Sequence, residues 1–402
     1  MHSHRLSCAL LLAFVSAPAW SAGLTESEAL RLGLARPEFS ELQQARLGTA
    51  EADVLEAGVW PNPTLEFGRD KTGASLERSW QISQPLDLSG RRGLRTEAAR
   101  QRLRATEADN QAARNERIAE LRRVFHEQLR QQEETRAVAA WAERFAVIDN
   151  VVAKLAKAGE VSGYDRRRLA REQRSAEARL AEARAEQARG DARLAALVGR
   201  EIGGVDGHLL PKVPPALPAL QAQLAVRPEF AALTARVEAA HSERAAAQRN
   251  LPELTLGVGG KRVEEGPLRN SVNSGNTVML AFNLPLFDRQ QAADRRGAAQ
   301  AQAVQAELSL SRQQAEGELL GLHRQTTQLI AAAARYRAEA VAPSAELVRI
   351  AESAYRAGES TVLELLDAYK GALEAELTAL DLEWKARAAR IELDQLTGSH
   401  PQ

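Results

Sequence analysis

Residues 94–158 read LRTEAARQRLRATEADNQAARNERIAELRRVFHEQLRQQEETRAVAAWAERFAVIDNVVAKLAKA, 65 consecutive positions with neither glycine nor proline. As one α-helix, at ~1.5 Å per residue, the run extends on the order of 100 Å. No compact domain contains such a rod. Its later part places Trp141, Phe145, Ile148, Val152 and Leu155 at alternating spacings of four and three, the seam of a coiled coil and not a full globular face. The helix must therefore pack on others like itself. Ala158-Gly159-Glu160-Val161-Ser162-Gly163 breaks it, and a second helical stretch runs to Val198 before Gly199.

The composition fits slender helices. Of 402 residues, 53 are basic and 53 acidic, 44% are hydrophobic, mostly Ala and Leu, and only 4% are aromatic. Zero net charge with abundant helix formers argues against disorder and gives no electrostatic reason to expect nucleic acid. The first residues read as an export signal (1–21): a basic start through Arg5, an apolar run from Leu6 to Val15 too short to span a bilayer, and small residues around Ala19-Trp20-Ser21. Cys8, the only cysteine, leaves with that segment, so disulfides and thiolate metal sites are not expected.

Internal repetition sets the domain plan. Arg36-Pro37-Glu38-Phe39 recurs letter for letter as Arg227-Pro228-Glu229-Phe230, 191 residues later. Gly159-Glu160 recurs as Gly358-Glu359 and Gly199 as Gly398, both at an offset of 199, and Gln84-Pro85-Leu86 is answered by Leu284-Pro285-Leu286 at 200. Two repeats follow, 22–202 and 219–398, joined by a linker at 203–218 that holds four prolines.

Each repeat carries a short region of period two. Residues 62–70 and 76–86 alternate apolar with polar, as do 252–260 and 276–286; these are strands, with polar, glycine-containing loops at 69–77 and 259–276. Long helices are expected at about 88–157 and 161–198, and again at about 288–357 and 360–397. Four strands cannot close a barrel alone. Three chains give twelve, with Leu65, Phe67, Trp80, Ile82, Leu254, Leu256, Leu280 and Phe282 facing lipid, and Glu66, Ser79, Gln81, Ser83, Thr255 and Asn283 facing a wet lumen. The same alternation also fits the edge of a soluble β-sandwich.

The chain resembles the outer-membrane efflux proteins, the TolC family of trimeric channel-tunnels, over nearly all of its length after the export signal. The marks are Pro61-Asn62-Pro63-Thr64-Leu65, Gln84-Pro85-Leu86-Asp87-Leu88-Ser89-Gly90-Arg91-Arg92, Leu284-Pro285-Leu286-Phe287-Asp288-Arg289 and the helix turn Tyr355-Arg356-Ala357-Gly358-Glu359. The strand-exit wordings look closest to the branch serving cobalt-zinc-cadmium and copper-silver exporters. The resemblance implies a mainly α fold with a small β part: a trimeric α-helical periplasmic barrel continued by a twelve-stranded outer-membrane β-barrel. It also implies that the unbroken helix is flanked by two shorter ones end to end, and residues 38–58 and 161–198 supply 59 positions beside its 65. Pro343 should kink the second long helix.

The implied function is a passive outer-membrane duct for exported solutes, heavy-metal cations first, in a proton-driven tripartite system. Partners would be two further copies of the chain, a periplasmic adaptor (membrane fusion protein), an inner-membrane resistance-nodulation-division transporter and outer-membrane lipid. By the family's pattern Glu364 and Asp367, one to two turns after the helix-turn glycine, ring the narrow tip; Asp165 matches an aperture acid and Tyr355 a tyrosine that latches the closed state. Three copies of each carboxylate would focus a negative potential on the axis, although an acid on a charged helix is also an ordinary solvated side chain. Ser360 stands where some members carry a basic latch residue, and Arg166, Arg167 and Arg168 crowd behind Asp165. Gly159, Glu160, Gly358 and Glu359 would dock the adaptor, or simply turn the chain.

A duct needs no nucleophile and no cofactor. The histidines outside the export signal, His126, His208, His241, His323 and His400, show no ligand spacing on a helix. Drug efflux and type I secretion use the same architecture. A periplasmic coiled-coil adaptor would also be helical and exported, though with one hairpin and not two; a periplasmic metalloenzyme would need ligand clusters.

Overall fold

The computed structural model describes residues 23–157, 162–249, 251, 253–265 and 271–399. In chain order the elements are β1 (Leu24–Thr25), α1 (Glu26–Leu34), α2 (Pro37–Gly58), β2 (Thr64–Thr72), β3 (Ser75–Leu86), α3 (Arg91–Lys157), α4 (Gly163–Val198), β4 (Val205–Asp206), α5 (Leu217–Ala225) and α6 (Pro228–Ala247). There follow β5 (Glu253–Glu264), β6 (Val272–Asn283), α7 (Gln291–Tyr336), a π-helical segment (Arg337–Val341), α8 (Ala342–Arg356) and α9 (Val362–Thr397). They form two compact units. One takes in the described residues of Met1–Gly33, Val124–Leu209 and Tyr336–Trp384; the other those of Leu34–Arg123, Leu210–Arg335 and Lys385–Gln402. Each unit draws on both repeats, so duplication and compaction divide the chain differently.

The unbroken run is one helix of 67 residues, α3. The repeated Arg-Pro-Glu-Phe motif starts a helix both times. Pro37 and Pro228 sit in the first turn, where a missing N–H costs nothing. Arg36 donates to both Glu38 oxygens at 3.2 and 3.1 Å, and Arg227 to those of Glu229 at 3.1 and 2.8 Å. Phe230 is then buried in a cluster with Leu220, Leu319 and Leu393.

The sheet of this second unit is antiparallel, in the order β2-β3-β5-β6. Register decides its faces. Leu65, Ile82, Val258 and Val278 fall in one cross-strand row, with Phe67 opposite Trp80 on the same face; Phe67 is 79% and Val278 75% exposed. The other face carries the row Glu66, Gln81, Gly259, Thr277. Strands β2 and β6 are the two edges.

Two sequence expectations are corrected here. Pairing continues to Thr72 opposite Ser75 and to Glu264 opposite Val272, so the first hairpin has a two-residue turn at 73–74, not a loop over 69–77, and both second-repeat strands run further than alternation showed. Arg69, Asp70 and Lys71 put polar groups on both faces, which erases the alternation while the backbone ladder goes on. Cross-strand ion pairs support that outer part, Lys261 with Glu77 at 2.5 Å and Arg78 with Glu264 at 3.2 Å. Residues 266–270 and Pro252 lie outside the described residues.

The stretch 203–218 is also more than a linker. In the first unit β4 pairs in parallel with β1, and the buried Gln132 amide donates to the Val205 carbonyl and accepts from its N–H, both at 3.0 Å. In the second unit Arg387 donates to the Leu210 carbonyl at 3.2 Å and Arg390 to that of Lys212 at 2.9 Å. Prolines remove donors but leave carbonyls to accept. Nearby, Asp394 is buried between Arg122 and Arg390, each at 2.8 Å.

A wide turn of the helix precedes Pro343. The five-residue π segment Arg337–Val341 precedes it, with the Ala342 N–H bonded to the Arg337 carbonyl five residues back. A proline ring crowds the carbonyl four residues behind it, and widening the turn relieves the clash. Arg337 is thereby aimed at α9, where it donates to Glu383 at 2.9 Å and Glu376 at 2.5 Å.

Candidate functional site

The aperture candidates lie in the first unit, over a core that holds the predicted seam. Trp141, Phe145, Ile148 and Val152 are buried with Leu365, Leu366 and Tyr369. Trp141 meets Phe145 edge-on at 4.9 Å and Phe145 meets Tyr369 at 5.8 Å. The Tyr369 hydroxyl donates to Glu352 at 2.9 Å; burial and that carboxylate push its ionisation far above the usual tyrosine range.

From this core α8 runs to its end at Arg356 and the chain reverses. Gly358 takes a φ of +76°, while the Glu359 N–H reaches back to the Ala354 carbonyl at 2.9 Å. That left-handed position costs an L-residue roughly 1–2 kcal/mol, which is why glycine stands there. Glu359 is exposed beside it. The corresponding Gly159 and Glu160 lie outside the described residues.

Both following helices open on the same device. The Ser162 hydroxyl accepts from the Asp165 N–H at 3.1 Å and donates to the Asp165 carboxylate at 2.6 Å. In the second repeat Thr361 accepts from the Glu364 N–H at 3.3 Å, and the Glu364 carboxylate accepts from the Thr361 N–H at 2.9 Å. In both a hydroxyl caps the helix start; the second is a full capping box, in which the acid three residues on also takes the cap residue's backbone N–H, whereas the Asp165 carboxylate takes the Ser162 hydroxyl. Asp165 and Glu364, 199 positions apart, therefore both serve their helix starts. Glu364 also lines a groove between α8 and α9 with Asp367, Leu347 and Gly371, and Asp367 is exposed one turn further on.

Tyr355 is buried, and its hydroxyl has no hydrogen-bond partner among the described residues; the same holds for the buried Ser360 hydroxyl. Burial raises the Tyr355 pKa, and the Asp165 carboxylate adds to the rise. The two groups are thus electrostatic neighbours without a bond between them. Another pair does join α4 to α9: Glu172, its side chain 8% exposed, accepts from Lys370 at 2.8 Å and from Arg171 at 2.9 Å. The Lys370 bond holds the Glu172 carboxyl below its usual range, against the opposing effect of burial and with help from Arg171. Sequence reading missed this link. Arg171 and Lys370 are equivalent positions on the 199 offset, but nothing in one sequence says that a carboxylate from α4 would lie between them.

Among the described residues, no three His, Cys, Asp or Glu side chains group as a metal site. No described helix is long and apolar enough to cross a membrane; the apolar sheet face is the surface suited to lipid. A mostly helical chain carrying a four-stranded sheet with one exposed apolar face is the architecture against which known proteins are compared. Residues 219–399 match the family model described as Outer membrane efflux protein.

Particular relatives refine the class. The chain is 28% identical over 363 residues, 88% of its length and 84% of the relative's, to the cobalt-zinc-cadmium resistance protein CzcC of Cupriavidus metallidurans. Its fold is similar to the outer membrane protein VceC of Vibrio cholerae, with a TM-score of 0.75, 19% identity, and 93% and 96% of the two chains covered. It is similar also to CusC, with a TM-score of 0.77, 18% identity, and 93% and 92% covered.

Proposed function

We propose that the chain is the outer-membrane duct of a tripartite efflux system, and that its cargo is heavy-metal cations. Three copies join edge to edge, β2 of one against β6 of the next, so that twelve strands leave no open edge and every strand's polar groups are paired. The observation that carries this reading is the sheet itself. An exposed apolar face with a polar face behind it, on two unpaired edges, is unsuited to water and suited to a barrel in lipid.

The helices continue the passage into the periplasm, and solute moves through without a chemical step. Glu364 and Asp367, tripled about the axis, favour cations and disfavour anions at the narrow end. The helix turns at Gly358 and Glu359, with Gly159 and Glu160 of the first repeat, receive a periplasmic adaptor, and an inner-membrane proton-driven transporter supplies the energy. The metal assignment is supported by the likeness to a cobalt-zinc-cadmium resistance protein. Deleting the gene should lower tolerance of cobalt, zinc or cadmium and leave tolerance of dyes and detergents unchanged. Loss of detergent and drug tolerance alone would replace the metal reading with drug efflux.

A further inference from the structure

The sheet of the second unit sorts the charges at its hairpin end by face. Helices adjoin the strands at one end only, before Thr64 and Glu253 and after Leu86 and Asn283, so the hairpin ends at Thr72 and Glu264 lie at the other. Register follows each cross-strand row toward them. Phe67 stands opposite Trp80, and Trp80 opposite Gly260 on the next strand. Two residues on, ~7 Å further along each strand, Arg69 stands opposite Arg78, and Arg78 opposite Arg262. Because successive side chains alternate between faces, this row shares the apolar face of Phe67 and Trp80. The last row on that face sets Lys71 opposite Leu76 and Leu76 opposite Glu264. The same end of the polar face holds Asp70 opposite Glu77, with Lys261 paired to Glu77.

Like charges directly opposite one another destabilise a sheet, and here the compensation is partial. One oxygen of Glu264 takes both Arg78, at 3.2 Å, and Arg262, at 3.4 Å. Arg69 and Lys71 are exposed, and their side chains have no hydrogen bond or ion pair among the described residues. Four cations and one carboxylate thus share the face just beyond its apolar rows. The proposed function sets that face in lipid and, since the helices extend into the periplasm, sets the hairpin ends at the outer surface. We propose that the row Arg69, Arg78 and Arg262 binds the phosphates of lipopolysaccharide, the glycolipid of the outer leaflet. Neighbouring strands lie ~4.8 Å apart, so the three side chains form a strip about 10 Å long. Each guanidinium can hold a phosphate through two parallel N–H donors, with the acyl chains along Phe67, Trp80 and the row of Leu65 and Ile82 behind them. An arginine on the lipid side of a barrel is costly at mid-membrane and nearly free at the interface, which fits a row one step past the aromatic pair.

This rests on the membrane-barrel reading, and the test separates the two. Full-length protein from outer membranes washed with alkaline carbonate is delipidated in detergent and titrated with bisphosphorylated lipid A or with its dephosphorylated form, and bound lipid is counted by native mass spectrometry. Phosphatidylglycerol and inorganic phosphate are the competing sources of phosphate. The expected result is bisphosphorylated lipid A bound about tenfold tighter than the dephosphorylated form, the size of one charge-assisted contact, and tighter than phosphatidylglycerol. Arg69→Gln, Arg78→Gln and Arg262→Gln together should erase the preference. If the triple variant does not assemble, Arg69→Gln alone, which breaks no ion pair, should reduce the preference roughly twofold, the share of one guanidinium in three. Release of the protein by carbonate would overturn the barrel and this site together. A carbonate-resistant protein that binds both forms of lipid A equally, prefers phosphatidylglycerol, loses lipid A to millimolar inorganic phosphate, or keeps its full preference in these variants would overturn the site alone.

Discussion

Glu364 holds two positions at once: its carboxylate closes the capping box with Thr361 and lines the groove that Asp367 shares. Charge and cap can be separated by chemistry. Glu364→Gln keeps an acceptor for the Thr361 N–H and removes the charge, whereas Glu364→Ala removes both and should cost about 1 kcal/mol at the helix start. Glu364→Gln with Asp367→Asn in reconstituted protein should weaken cation selectivity in bilayer recordings with thermal stability unchanged. Unaltered selectivity would remove both residues from the aperture. Glu172 offers a second test at this scale. Its carboxyl lies below the ordinary 4.5 through the Lys370 bond, so its contribution is complete above that unfolded-state value and is lost as pH falls through the lower folded one. Hydrogen exchange in α4 and α9 should accelerate below about pH 4.5, and Lys370→Met should abolish that acid step; an identical acid response in the variant would show that the pair does not join the helices. The turn at Gly358 was legible from the 199-residue offset, while Asp165 and Glu364 came from the family resemblance. Their place at helix starts, three residues after Ser162 and Thr361, was not legible, because the chain carries so many acids that the pattern alone does not say which of them cap a helix.

Among the elements, the long helices were the most legible, because an absence of glycine and proline over 65 residues leaves little else for a chain of helix formers to do. Strand ends were less so. Alternation reports a difference between two faces, and it vanishes where Arg69, Asp70 and Lys71 make both faces polar although the ladder persists to Thr72. The contacts of 203–218 were hidden for a related reason: four prolines mark lost donors, while the contacts that strap the stretch down use its carbonyls and a two-residue strand. The π segment shows how one residue remodels an element. Arg337 answers two carboxylates on α9 from the wide turn before Pro343, and Glu383, with a side chain 10% exposed, depends on it. Arg337→Ala should cost about 2 kcal/mol by leaving the buried Glu383 carboxylate without a partner, read as faster hydrogen exchange across α9 near residues 376–383. Unchanged exchange there would mean the pair is ornamental to the helix contact.

For the molecule as a whole, everything turns on what becomes of the sheet. Within one chain its apolar rows face outward and its edge strands β2 and β6 each have one partner, so a single copy is incomplete as a membrane object. Residues 219–399 match the outer membrane efflux protein model and the fold is similar to VceC and CusC; with the function proposed above, the edge-to-edge closure of three copies is the arrangement that would complete the sheet. Duplication made this much readable from sequence, since two hairpins per chain set the strand count at four. The spatial order β2-β3-β5-β6, which brings the two hairpins side by side, lay outside any reading of one sequence because β3 and β5 pair across more than 160 intervening residues. The most direct test is electron cryomicroscopy of the full chain, extracted from outer membranes into lipid nanodiscs. Threefold particles are expected, with β2 of each copy paired to β6 of its neighbour and Phe67, Trp80 and Phe282 in the lipid belt; particles whose sheet stays open, or lies outside the disc, would rule out closure by three copies.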